Sequence, residues 1–121
     1  MRNQPKYHFF KNTTYALKGL LDISTTERSF QIELVLAALL IPTLFIVDVS
    51  LVEKLLMFIT LMGMLLAEAI NSAIERVVDL VTKDHHIMAG RAKDVGSTIV
   101  FLSIAIFIVT WSTLLLNRYF F

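Results

Sequence analysis

Four polar side chains recur at helical spacing in the middle of the chain: Glu68, Ser72, Glu75 and Asp79. A helix turns about 100° per residue, so these four share a narrow stripe on one face, with Asn71 flanking it. Immediately before them runs Leu55 to Ala67, which is almost wholly apolar and carries no charge. A carboxylate costs several kcal/mol, roughly, to bury in hydrocarbon, so one at the end of an apolar span is a functional group by default. A helix that simply leaves the membrane accounts for Asp79 well and for Glu75 in part. It accounts poorly for Glu68 and Asn71, because apolar residues continue past both.

Other polar residues can join this stripe: Glu27, Glu33, Asp84, His85, His86, Lys93, Asp94 and Ser97. Hard divalent cations take oxygen ligands, and Mg²⁺ commonly uses one or two carboxylates together with phosphate oxygens. Glu27 and Glu75 could supply such a pair if their helix ends meet. Lys93 could neutralise phosphate charge, and Glu68 could accept a proton from a hydroxyl. Plain structural roles compete with each of these. A His85-His86 pair is more often an exposed loop feature than a metal site, and Lys93-Asp94 reads equally as a surface ion pair at a helix start. Ser97 can satisfy its hydroxyl within its helix, and Trp111 can be an interface anchor. The phosphate cradles GxxxxGK[ST] and GxGxxG are absent. The residues alone therefore define a small polytopic membrane protein with a carboxylate site and leave enzyme and cation carrier both open.

The elements that must position these residues are apolar blocks. Of 121 residues, 56% are hydrophobic, against ~45–50% in a typical soluble domain, and they are clustered rather than spread. A net charge of +1, with no basic run and no binding motif, makes no case for nucleic acid. With no cysteine, disulfides and thiolate metal sites are excluded. Met1 to Lys18 lacks an apolar h-region, so no cleavable signal peptide is expected.

Residues 1–25 alternate basic residues (Arg2, Lys6, Lys11, Lys18) with Tyr7, Phe9, Phe10, Tyr15, Leu17 and Leu20, the pattern of an amphipathic interfacial helix. Ser24-Thr25-Thr26-Glu27 supplies cap residues for the next helix, with Glu27 in its first turn. Transmembrane helices are expected at about 29–48, 51–81 and 92–118. The first has an uncharged part of only 14 residues, Leu34 to Val47, and needs its flanks to reach the ~20 required to span; Pro42 can kink it. The last contains 22 residues without a charge, Val95 to Leu116. Thr82 to Gly90 forms the one sizeable polar loop. Nine of the eleven Lys and Arg residues fall in the N-terminal segment or around that loop. This asymmetry places the N-terminus in the cytoplasm and the C-terminus outside. Three spans cannot easily bury so many polar groups alone, which points to an oligomer.

The order of these residues resembles the small prokaryotic integral-membrane diacylglycerol kinases. The resemblance is carried by Glu68-Ala69-Ile70-Asn71-Ser72-Ala73-Ile74-Glu75, by Val77-Val78-Asp79 and by Gly90-Arg91-Ala92-Lys93-Asp94-Val95-Gly96-Ser97. Tyr15 to Leu20 and the Glu27-x-x-Phe30-x-x-Glu33 element belong to it as well, so it covers essentially the whole chain. It implies an all-α homotrimer in the bacterial inner (cytoplasmic) membrane, with three transmembrane helices and an interfacial helix per subunit. It further implies phosphorylation of the diacylglycerol hydroxyl by MgATP, at sites shared between neighbouring subunits. Carried over by position, Glu68 corresponds to the catalytic base, supported by Asn71, and Glu27 and Glu75 to the Mg²⁺ ligands. Tyr15, Glu27, Glu75, Asp84, His85, His86, Lys93 and Asp94 correspond to nucleotide contacts. Glu33, Glu68, Ser97 and Trp111 correspond to the lipid site. The chain departs from the best-known pattern at His8, Ala16, Leu17 and His85. A related branch, which phosphorylates undecaprenol, is the alternative.

Overall fold

The computed structural model describes residues 8–121, which form helices and connecting turns, with no strand among them. Residues 1–7, the start of the expected interfacial helix, lie outside the described part. α1 (Phe9–Thr26) leads into α2 (Arg28–Leu40), the single-turn α3 (Thr43–Ile46), α4 (Leu51–Val81) and α5 (Ile87–Tyr119). Three stretches are long and apolar enough to cross a membrane: Arg28–Ile46, Leu51–Val81 and Ile87–Tyr119.

The first span is broken at Pro42, as its missing N–H requires. The ladder stops at Leu40 and restarts at Thr43, whose hydroxyl donates to the Leu40 carbonyl at 2.6 Å. A hydroxyl that returns a hydrogen bond to the freed backbone makes such a break tolerable in hydrocarbon. α4 starts with a complete capping box: Glu53 N donates to Ser50 Oγ, and Ser50 N donates to the Glu53 carboxylate.

Two local expectations change. The hydroxyls of Thr25 and Thr26 do not cap α2; they bond back to carbonyls of Leu21 and Asp22, extending α1 to Thr26. Glu27 becomes the N-cap of α2 but makes no side-chain cap bond, because its carboxylate is engaged elsewhere. The last helix begins at Ile87, earlier than 92, because His86 Nδ1 accepts from Met88 N at 3.1 Å and caps it. The polar loop therefore shrinks to Thr82–His86.

α4 and α5 form an antiparallel hairpin and the most extensive helix pair, with α2 packed on α4 and α1 on α2. At the end remote from the acidic stripe, Ala37, Leu44, Met57, Leu61 and Trp111 build the core. Trp111 Nε1 donates to the Met57 carbonyl at 3.0 Å and its ring packs against Phe107. Trp111 thus closes the interior of the bundle instead of facing outward. At that end, Arg118 pairs with Asp48 and holds its carboxyl below the ordinary carboxylate value.

Thirty-one residues of α4 extend over about 46 Å, against ~30 Å of hydrocarbon. One end of the hairpin must therefore project beyond the bilayer. Seventeen residues separate Leu51 from Glu68, or about 26 Å, which sets Glu68 near the far boundary if Leu51 marks the near one.

Candidate active site

The acidic stripe grades from buried to open along α4. Glu68 is 7% exposed, Asn71 8% and Ser72 2%, whereas Glu75 and Asp79 are half-buried. Burial follows from α5, which covers this face, and from α2, which brings the buried Glu33 within electrostatic reach of Glu68. Glu27 and Glu75 also lie within such reach of Glu68 in the same chain. Glu27, Glu33, Glu68 and Glu75 are thus one cluster drawn from two helices and a helix junction.

Asn71 is the hub of the stripe. Its Nδ2 donates to Glu75 Oε1 at 3.0 Å, one turn away. Its Oδ1 is buried and has no hydrogen-bond partner among the described residues, which is costly for a polar group of a folded protein. Gly96 lies against it: a Cβ there would stand 2.4 Å from Asn71 Oδ1. Gly96 therefore leaves room for the Asn71 amide in the rotamer it adopts. Gly96→Ala should push Asn71 off Glu75, destabilise the chain by about 1–3 kcal/mol and reduce turnover at least tenfold. Asn71→Ser in the Gly96→Ala background removes the clash and should restore the melting temperature but not turnover. Unchanged turnover in Gly96→Ala would dismiss this reading of the contact.

Two cavities flank the cluster. One, of about 510 Å³, is lined by Asp79, Asp84, His85, His86 and Lys93 together with the apolar Val78, Ile87 and Ala89. Lys93 Nζ bonds Asp79 Oδ1 at 2.8 Å, across the hairpin rather than to its neighbour Asp94. The other, of about 940 Å³, is apolar. It opens between α1, α2 and α4, and is lined by Gly19, Leu20, Phe30, Leu34, Leu65 and Ala69 among others.

The remaining candidates fall apart from the cluster. Tyr15 is half-buried on α1. Asp94 and Ser97 are exposed on α5; they sit one residue past Lys93 and Gly96, so their stripe is turned about 100° from the face that meets α4. Trp111 lies some 21 Å up the helix from Ser97.

One residue that sequence reasoning passed over organises the junction. Arg76 donates from Nε and Nη2 to Glu27 Oε1, at 3.3 and 2.9 Å, and from Nη2 to Thr26 Oγ1 at 3.0 Å. Nη1 pairs with Asp22. The contact spans some fifty residues of sequence, so no local spacing signals it. Exposed pairs of this kind contribute ~0.2–1 kcal/mol, less than their geometric precision implies.

The acidic donor set is of the kind that hard divalent cations take. It is all oxygen, with Glu27 and Glu75 as carboxylates. No group of three His, Cys, Asp or Glu residues among the described ones is arranged to hold a metal ion. A cation held by the protein alone is less well served than one that brings phosphate oxygens as additional ligands.

The chain is thus a three-span bundle with an acidic cluster along α4, an apolar groove and a second cavity lined by charged side chains. Comparison with known proteins narrows the class. The family model for prokaryotic diacylglycerol kinase matches residues 14–115, and the chain belongs to that family. It is 39% identical over 105 residues to a diacylglycerol kinase of Pseudomonas aeruginosa, covering 87% of this chain and 85% of that one. A diacylglycerol kinase of Haemophilus influenzae is 36% identical over 108 residues, covering 89% and 92%. An undecaprenol kinase of Bacillus subtilis is 37% identical over 99 residues, covering 80% of each. The chain is accordingly a membrane-embedded kinase.

Proposed function

We propose that this lipid kinase transfers the γ-phosphoryl group of MgATP to the hydroxyl of diacylglycerol, giving phosphatidic acid and ADP. The observation that carries this reading is the position of Glu68: a buried carboxylate next in sequence to Ala69, the last residue of α4 that lines the apolar groove. A lipid whose chains lie in that groove would bring its headgroup hydroxyl to the carboxylate. Glu68 takes the hydroxyl proton, the alkoxide oxygen forms the bond to γ-phosphorus, and the bond to the ADP oxygen breaks. Asn71 orients the carboxylates around it. Glu27 and Glu75 would hold Mg²⁺, which when bound would offset phosphate charge. Lys93 and the loop residues Asp84, His85 and His86 line the cavity suited to the rest of the nucleotide, with Tyr15 and Asp94 completing its contacts. Glu33, Ser97 and Trp111 are assigned to the lipid side.

The assembly we infer is a homotrimer with shared sites. Only Gly96 and Trp111 of α5 are buried within one chain, so its apolar surface is left for lipid or for neighbouring copies. The basic asymmetry places the carboxylate end in the cytoplasm, in the bacterial inner membrane.

The undecaprenol kinase among the relatives favours one second reading, the same chemistry on a polyprenol. Purified protein in mixed micelles with labelled ATP separates the two: label should enter phosphatidic acid faster than undecaprenyl phosphate. Clear preference for undecaprenol reverses the substrate assignment, and ion flux without labelling of either lipid overturns the kinase mechanism. Because ATP does not cross the bilayer, inside-out vesicles should label lipid and right-side-out vesicles should not; the opposite result refutes the orientation.

A further inference from the structure

We propose that Arg76 is a positioning residue for phosphoryl transfer: it clamps the α1–α2 junction to α4 and presents Glu27 to the nucleotide-bound cation. The inference rests on the metal role assigned above to Glu27. α1 has no buried residue of its own and packs chiefly against α2. Packing on the span that carries the acidic stripe is therefore not what fixes its end. What fixes it is the Arg76 fork, which reaches Asp22 on α1, Thr26 at its last residue and Glu27 at the junction.

The local structure of Glu27 agrees with this use. As N-cap of α2, its carboxylate would ordinarily turn back to the first backbone N–H groups. It makes no such bond. Instead Oε1 accepts twice from Arg76, from Nε and Nη2, leaving Oε2 for a cation. Two donors of one planar guanidinium converge on Oε1 and fix its position, which the point charge of a lysine ammonium cannot do with the same geometry. Arg76 also follows Glu75 directly, so the clamp draws Glu27 to the turn of α4 that carries Glu75. Partners of metal ligands typically influence metal affinity by about 10–100-fold, whereas an exposed ion-pair network adds little to the stability of the fold. Position is therefore the property that Arg76 controls.

The test is equilibrium binding of MgATP to the purified protein in mixed micelles without lipid substrate, alongside steady-state kinetics. Arg76→Ala should weaken MgATP binding by about 10–100-fold and raise the KM for MgATP in parallel, with the KM for lipid unchanged. Arg76→Lys, which keeps the charge but not the fork, should recover part of the affinity. Arg76→Ala combined with Glu27→Gln should bind no more weakly than Glu27→Gln alone, because Arg76 acts through Glu27. Asp22→Ala should stay within about threefold of wild type. MgATP affinity that survives Arg76→Ala within twofold, in an active wild-type background, overturns the positioning role alone; so does an equal rise in the lipid KM, or losses that multiply in the double variant. A wild type that phosphorylates no lipid removes the kinase reading and this inference with it.

Discussion

Glu68→Gln should abolish turnover while leaving MgATP bound. The replacement is nearly isosteric and keeps a hydrogen-bonding group at a position 7% exposed, so packing is preserved. What it removes is the proton acceptor, and general-base catalysis contributes roughly 10²–10⁴-fold. The same exchange at Glu75 has a different signature. Glu75→Gln removes an anionic ligand while keeping an amide oxygen able to accept from Asn71 Nδ2. MgATP binding and turnover should fall together, since the cation loses a carboxylate and the phosphates lose its charge. Affinity for MgATP, measured by equilibrium binding on the two variants side by side, decides the matter. If Glu68→Gln loses nucleotide as severely as Glu75→Gln, the division into base and metal ligand is wrong.

Much of this arrangement was legible because a bilayer imposes length and polarity rules on short stretches. Three apolar blocks gave three spans, and the proline in the first one breaks it as its chemistry demands. The stripe from Glu68 to Asp79 was visible because helical periodicity is local. The junction was not. Ser24, Thr25, Thr26 and Glu27 read as a cap by type, but four hydroxyl- and carboxylate-bearing residues in a row can serve either the helix that ends or the one that begins. The outcome was set by Arg76, far along the chain, which takes the Glu27 carboxylate. Gly96 was visible as part of a motif without a reason; the reason is the Asn71 oxygen it admits. Ion pairs and close approaches between distant segments have no spacing signature, and both features are of that kind.

The subunit question divides the same way, because the fold says which candidates lie together in one chain and which do not. A site shared between neighbours leads, from the sequence, to mutual rescue of Glu27→Gln and Glu68→Gln chains. The structure redirects that expectation. Glu27 is fastened to α4 of its own chain by Arg76, within electrostatic reach of Glu68, so these two lesions should fall in the same site and fail to rescue each other. Asp94 is different: it is exposed on α5, on a stripe turned away from α4, where a neighbouring subunit can use it. Mixed trimers of Glu68→Gln and Asp94→Asn chains should therefore regain activity. In a cyclic trimer with each site drawn from two adjacent chains, random 1:1 mixing leaves roughly one site in four with both contributions intact. Activity near a quarter of wild type is expected after unfolding, mixing and reassembly of the two inactive variants. Rescue of Glu27→Gln by Glu68→Gln, with none from the Asp94→Asn pair, would exchange the assignments and place the boundary between subunits through the carboxylate cluster itself.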